Sequence, residues 1–311
     1  MNTIEGNFIE SWRGEAVNWE CDELGHLNMR HYLTKARQAR KMTAMHLGLT
    51  HSFDQQAMST LRLRRAHIRY LKECRPGARL HIKTGITHMG DNNVNMLHMM
   101  YHRDGTVAAT IDETLEHISV ASQKPFDWPE RIKHNAKSLI TSTPPIAKPR
   151  AMDRAEALRL KDRTPAYRDL TSPPYYKIGM GVFREDEMDI FGVATSTNLM
   201  GRISESVGHF EAGYPELHER DYSPTHINGV LLEIFIYIHQ HPMAGQAYHI
   251  HSGVHSVNEN IRRFHHHMVN PFNGQPWMHT VAIGALMDLK ARKLVKISPA
   301  HKKQIEAILI P

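Results

Sequence analysis

The chain has 311 residues, 41% hydrophobic and 23% charged, with 38 basic against 32 acidic side chains and a net charge of +6. That length exceeds one ordinary hydrophobic core and fits two domains of about 150 residues each, while the composition excludes collagen-like, disordered and membrane-spanning classes. The basic residues are dispersed and accompany neither zinc-ligand spacing nor an aromatic RNA-binding signature, so no nucleic-acid partner is expected. A mild positive balance suits steering and contact of a phosphorylated ligand instead.

Two cysteines, Cys21 and Cys74, are too few for a disulfide framework. No basic segment followed by an apolar run opens the sequence, so a cytoplasmic protein without membrane association is expected.

In chain order, Val17-Asn18-Trp19-Glu20-Cys21 reads as extended and runs into Asp22-Glu23-Leu24-Gly25-His26-Leu27-Asn28. The spacing of Tyr32, Leu33, Ala36 and Ala39 then predicts a helix over residues 30–47. From Ala66 the sequence alternates extended segments with turn signals at Pro76-Gly77, Gly90-Asp91-Asn92-Asn93 and Asp104-Gly105, which predicts an antiparallel meander. Prolines crowd residues 124–174 and oppose regular structure, leaving an irregular connector with a short helix over 153–160.

A second helix is expected over 202–219. From Leu232 a second meander sets Gly245, Ser252-Gly253-Val254 and Asn273-Gly274 against Gly77, Thr84-Gly85-Ile86 and Asp104-Gly105. Each half is therefore strand, helix and several antiparallel strands, an α+β architecture. The expected organisation is an N-terminal domain over 1–122, a connector over 123–172 and a diverged second copy over 173–311.

The polar cluster at 22–28 sits at a strand-to-helix junction, where unpaired amides and the positive helix end stabilise developing negative charge. Gly25 lets backbone approach a ligand closely. Plainer roles stand beside these: Asp22 as a helix cap, His26 as a solvated imidazole, and Asn28 as a partner of helix-end amides.

The run WECDELGHLNMRHYL resembles the signature of hotdog-fold acyl thioesterases of the 4-hydroxybenzoyl-CoA thioesterase type. IRYLKECRPGARLHIKTGI and MYHRDGTVAATIDETLEHI resemble the strands of the same fold, so the likeness covers residues 10–120. The two-copy arrangement is similar to that of acyl-acyl carrier protein thioesterases. The resemblance implies two tandem hotdog domains forming a pseudo-dimer, each an antiparallel sheet wrapped around a long helix.

It further implies hydrolysis of an acyl-CoA or acyl-carrier-protein thioester, with coenzyme A entering as part of the substrate and no separate cofactor. Asp22 would act as nucleophile or as general base on water. The Gly25 amide would polarise the carbonyl, and His26 and Asn28 would orient water or the carboxylate. Leu24 stands where the carrier-protein enzymes carry Asn, a departure from their pattern.

Aligning Gly201 on Gly25 puts Asn198 at the position of Asp22, Arg202 at that of His26 and Ser204 at that of Asn28, so the second copy is expected to lack the carboxylate. Arg202 is then a candidate contact for a coenzyme A phosphate, and Glu205 and Asn198 are further candidate substrate contacts. Two other readings are a hotdog hydratase or dehydratase, disfavoured by the His26 spacing and by the absence of Pro after Asp22, and a non-catalytic acyl-binding module. Pairing of chains into a homo-oligomer through sheet edges is a further expectation.

The chain has 24 histidines, including His265-His266-His267 and the pairs His239/His241 and His249/His251. Alternate strand positions share a face that can bind zinc, but no Cys, Asp or Glu joins them at ligand spacing. They are read as solvated strand histidines and no metal is expected. Met96, Met99 and Met100 are read as core.

Overall fold

The computed structural model describes residues 6–151, 156, 159, 164–218 and 226–311. By internal contacts the chain divides into two units: Met1–Arg150 with Met188–Thr197, and Ala151–Glu187 with Asn198–Pro311.

In the first unit the elements are β1 (Ile9–Glu15), α1 (Met29–His46), β2 (Ser59–Tyr70), β3 (Arg79–Met89), β4 (Asn93–His102) and β5 (Val107–Ser119). The strands pair antiparallel in the order β1-β3-β4-β5-β2. The helix begins where the Asn28 side chain accepts the Arg30 amide at 3.1 Å. It ends before Gly48, whose φ of +100° suits the left-handed position after a helix. Tyr32, Leu33, Ala36, Ala39 and Ala44 form its buried stripe against β1, β3, β4 and β5.

Strand alternation assigns the methionines. Met96 and Met100 share the face of His98, which reaches Glu113 and thereby Arg40 of α1. Leu97 and Met99 take the opposite face and pack on Ala147 of the connector. All three methionines are buried, as core positions should be.

A buried polar chain crosses this unit. Ser11 Oγ meets Thr84 Oγ1 at 2.7 Å, and Thr84 Oγ1 meets His98 Nδ1 at 2.7 Å. His98 Nε2 lies 3.3 Å from Glu113 Oε2, and Arg40 donates to the same oxygen at 3.4 Å. Burial alone acts to raise the Glu113 pKa, but the Arg40 charge and the His98 hydrogen bond outweigh it and hold the carboxyl below its ordinary value.

In the second unit, β6 (Tyr176–Val182), β7 (Ile227–Ile238), β8 (Ala247–Val257), β9 (Ile261–Val269) and β10 (Pro276–Asp288) pair in the order β7-β10-β9-β8-β6. A two-residue β11 (Lys293–Leu294) adds to β10. Reading β6 to β10 onto β1 to β5 reproduces the first sheet strand for strand. Ser252 meets His266 at 2.6 Å where Thr84 meets His98. Glu113 pairs with Met96 in the first sheet and Ala282 with Phe264 in the second, so the carboxylate of the buried chain has become a methyl group.

Several expectations are corrected. Residues 17–21 are not a strand: Asn18–Glu20 is a single 3-10 turn, closed by the Glu20 carboxylate accepting the Val17 amide at 3.4 Å. The second helix spans Ser196–Ser206 rather than 202–219, because glycines at 208 and 213 and Pro215 break the remainder into short turns. The connector carries a helix over Glu130–Ala136, whereas the helix expected over 153–160 lies largely outside the described residues.

The strand histidines are the largest departure. His251, His267 and His279 are buried rather than solvated, because Tyr167, Leu170 and Tyr175, at and just after the end of the connector, cover the outer face of this sheet. His266 is buried on the opposite face, bonded to Ser252.

Two predictions follow from these interiors. Glu113→Gln leaves Arg40 facing a neutral partner, and its unfolding free energy in urea should fall by about 3 kcal/mol, as for other broken buried pairs; an unchanged midpoint would show the pair to be dispensable. Burial pushes His251 and His266 down to about 4 and His267 well below the ordinary 6.5, so the unfolded chain binds protons that the folded chain refuses. Stability present above pH 6.5 should therefore fall as the pH drops from there towards about 4, with Glu113 adding in the same direction below the ordinary carboxylate pKa. Thermal unfolding across that range checks the slope.

Candidate active site

The segment before α1 forms one closed turn. The Asp22 amide donates to the His26 carbonyl at 2.9 Å, and the Gly25 amide donates to the Asp22 carbonyl at 3.0 Å. Gly25 takes φ +71°, a conformation that a side chain strains. Asp22 Oδ1 accepts the amides of Leu24 at 3.0 Å and His26 at 3.1 Å, so one carboxylate oxygen is spent on the turn itself. Among the described residues Asp22 joins no ion pair.

A buried cation secures the turn from beneath. Lys35 of α1, 3% exposed, donates to Glu20 Oε2 at 2.6 Å and to the Glu15 carbonyl at 3.1 Å. The Glu20 carbonyl in turn accepts the Asn28 amide at 2.9 Å. Leu27 donates its amide to the Cys74 carbonyl at 2.7 Å, which draws in the loop between β2 and β3. That loop delivers Glu73, whose carboxylate lies 2.8 Å from His26 Nε2.

The structure thus brings Asp22, Gly25, His26 and Asn28 into one turn. His26 is oriented by Glu73, which no sequence signal singles out because it sits in a distant loop without a motif of its own. Asn28 acts as the helix cap.

The same turn recurs before the second helix, at a different place from the one expected. The Asp189 amide donates to the Val193 carbonyl at 2.8 Å, the Gly192 amide donates to the Asp189 carbonyl at 3.0 Å, and Gly192 takes φ +73°. Asp189 Oδ1 accepts the amides of Phe191 at 2.9 Å and Val193 at 3.3 Å. Asp189 and Gly192 therefore correspond to Asp22 and Gly25, with Val193 at the position of His26 and Thr195 at that of Asn28. The second copy has kept its carboxylate and lost the imidazole, contrary to the alignment on Gly201.

This register reassigns the other candidates. Arg202 matches Lys35, and it pairs with Glu187 as Lys35 pairs with Glu20. It also donates to Glu205 at 2.7 Å. Asn198 donates to the Glu187 carbonyl at 2.6 Å. Arg202 and Asn198 thus both bind Glu187, just before the turn, and Glu205 bonds Arg202.

The two carboxylates differ in their surroundings. Asp189 Oδ2 lies 3.4 Å from Arg62, which also donates to Gln123 at 3.1 Å. Burial holds the Cys74 thiol up at about 11 and raises Cys21 as well, so neither offers a thiolate at neutral pH. A shallow groove lined by Lys72, Gly77, Arg79, His102, Arg103 and Asp104 runs beside Glu73 along the same loop. No helix among the described residues is long and apolar enough to cross a membrane.

Residues 17–136 match the family model described as the thioesterase-like superfamily. A stretch of 108 residues is 27% identical to an L-carnitine dehydrogenase/betainyl-CoA thioesterase of Agrobacterium fabrum, covering 35% of this chain and 22% of that protein. The chain thus spans about a fifth of the length of that relative.

Among solved structures, an acyl-ACP thioesterase of Bacteroides thetaiotaomicron superimposes with a TM-score of 0.60 at 14% identity, over 89% of this chain and 98% of that one. The 12:0-ACP thioesterase of Umbellularia californica does so with a TM-score of 0.63 at 8% identity, over 90% and 95%. Coverage of this extent establishes the fold: two hotdog domains in one chain.

If the Asp22 carboxylate closes the turn as described, Asp22→Asn, whose amide oxygen accepts the same two N–H groups, should stay within about 0.5 kcal/mol of wild type, and Asp22→Ala should lose about 1 kcal/mol. At Gly25 an added Cβ meets nothing within 4 Å, so Gly25→Ala isolates the backbone cost, about 1–2 kcal/mol. Denaturant titration of the three variants measures these differences, and equal stability of Asp22→Ala and Asp22→Asn would rule out the capping role.

Proposed function

We propose that the chain hydrolyses an acyl thioester, with Asp22 as the reactive carboxylate. The observation that carries this reading is the contrast between the duplicated turns: Asp189 lies against Arg62 and has Val193 beside it, whereas Asp22 keeps one oxygen outside the turn's hydrogen bonds and has His26 four positions on. A carboxylate held by two amides on one oxygen and open on the other is fixed in direction, as nucleophilic or general-base attack on a carbonyl requires.

In this reading His26, oriented by Glu73, directs water or the departing thiol. Asn28 holds the helix end at the site. The Gly25 amide, bonded to the Asp22 carbonyl, would polarise the thioester carbonyl by exchanging that bond for one to substrate. Lys72, Arg79 and Arg103 along the neighbouring groove suit the phosphates of coenzyme A or of a carrier-protein arm. Supporting the reaction class, residues 17–136 match the thioesterase-like superfamily.

Thiol release from a panel of acyl-CoA esters tests the proposal. Asp22→Asn should lower kcat by about 100-fold or more, while Asp189→Asn should change it by less than about tenfold. The reverse order would transfer the chemistry to the second turn, and no release from any ester or from acyl carrier protein would exclude hydrolysis. In labelled water, a single turnover that places solvent oxygen in the carboxylate of Asp22 rather than in the product identifies nucleophilic attack. Arg79→Ala and Arg103→Ala should raise KM for coenzyme A esters and leave kcat in place, without effect on acyl-pantetheine.

A further inference from the structure

The outer face of the second sheet carries three histidines on two adjacent strands. His265 and His267 are alternate residues of β9, and His279 of β10 pairs directly with His267. One nitrogen of each lies within 4.8 Å of one nitrogen of each of the others. The rings of His267 and His279 stack with centroids 4.2 Å apart, and those of His265 and His279 lie 5.2 Å apart.

Two observations set this cluster apart from ordinary strand packing. His267 is 1% exposed, and neither of its ring nitrogens has a hydrogen-bond partner. Leaving a buried polar atom unsatisfied is costly, and this ring carries two. The second observation comes from the duplication. Met99 pairs with Thr110 in the first sheet as His267 pairs with His279 in the second, and Leu97 precedes Met99 as His265 precedes His267. The first copy thus fills the same three positions with Leu97, Met99 and Thr110, all buried. The fold does not require imidazoles there.

We propose that His265, His267 and His279 form a binding site for a divalent cation of the zinc class. Nitrogen ligands select zinc, cobalt, nickel or copper over magnesium and calcium. Bonds of 2.0–2.1 Å in tetrahedral geometry bring ligand nitrogens to about 3.4 Å from one another, a contraction that small side-chain rotations supply. Burial keeps His265 and His267 neutral, and a neutral imidazole is the form that binds metal. Three protein ligands leave a fourth position for water. His265, the partly exposed member, opens the entry side, whereas the Tyr175 ring covers His267, its centroid 5.7 Å away.

The test compares wild type with a triple variant bearing the first copy's residues, His265→Leu, His267→Met and His279→Thr. Both are full-length, without a histidine tag, and are stripped with chelator before titration with Co(II). Wild type should take up one equivalent and show the intense visible bands of four- or five-coordinate cobalt. The variant, which keeps every other histidine, should lose that spectrum and bind about 100-fold or more weakly. Zn(II) should also raise the Tm of wild type, reversibly on adding chelator, and not that of the variant. Should the triple variant fail to fold, His265→Leu alone at the partly exposed position serves the same comparison. Equal uptake by wild type and variant, or only the weak spectrum of six-coordinate cobalt in wild type, would overturn the proposal. The readout is spectroscopic and stands apart from whether the chain hydrolyses thioesters.

Discussion

A buried cation under each helix holds the functional turns in place. Lys35 and Arg202 each project from the second turn of their helix onto a carboxylate, Glu20 or Glu187, that lies two residues before the Asp of the closed turn. The carboxylate also accepts a backbone amide just upstream, from Val17 in one copy and Arg184 in the other. One ion pair thus joins the strand exit, the turn and the helix. Removing the cation would leave a largely buried carboxylate uncompensated, an expensive condition. The turn is fixed to its helix by electrostatics as much as by the peptide chain.

With that scaffold shared, the two turns differ only in the atoms they leave available. The hydrogen bonds among Asp22, Leu24, Gly25 and His26 reappear among Asp189, Phe191, Gly192 and Val193. These bonds are made by backbone and by one carboxylate oxygen, so they constrain only the Asp and the Gly. The intervening side chains are free to change, and they have: His26 has its counterpart in Val193. A capping geometry therefore persists in both copies irrespective of chemistry, and its presence alone does not mark a reactive site.

This separation explains what the sequence made legible. The strands of both meanders announced themselves through turn residues such as Pro76-Gly77 and Asp104-Gly105, whose glycines take positive φ. The first helix declared itself by its apolar period. The second turn stayed hidden because only Asp189 and Gly192 survive from the motif, two letters too common to fix a register against the competing match at Gly201. Glu73 stayed hidden because its role arises from a loop that the Leu27 to Cys74 hydrogen bond draws in. The burial of His251 and His267 is not legible for a related reason: alternation tells which residues share a face but not what covers it, and here Tyr167 and Tyr175 do.

The buried chain of the first unit shows how such differences between copies stay coupled. Glu113 is tolerable in the interior because Arg40 reaches it from α1, an 18-residue helix. The second helix has 11 residues and stops at Ser206, before the position equivalent to Arg40. The residue at the Arg40 position is Val207, so the second helix supplies no counterpart of that cation, and burial opposes protonation of the neighbouring His266. The neutral Ala282 matches the missing counterpart of Arg40. Ser252 and His266, a neutral pair that needs no counter-charge, have been kept. Helix length, an apparently local property, thereby bears on whether this one strand position carries a carboxylate, while the second core keeps a buried ion pair elsewhere, Arg262 with Glu216.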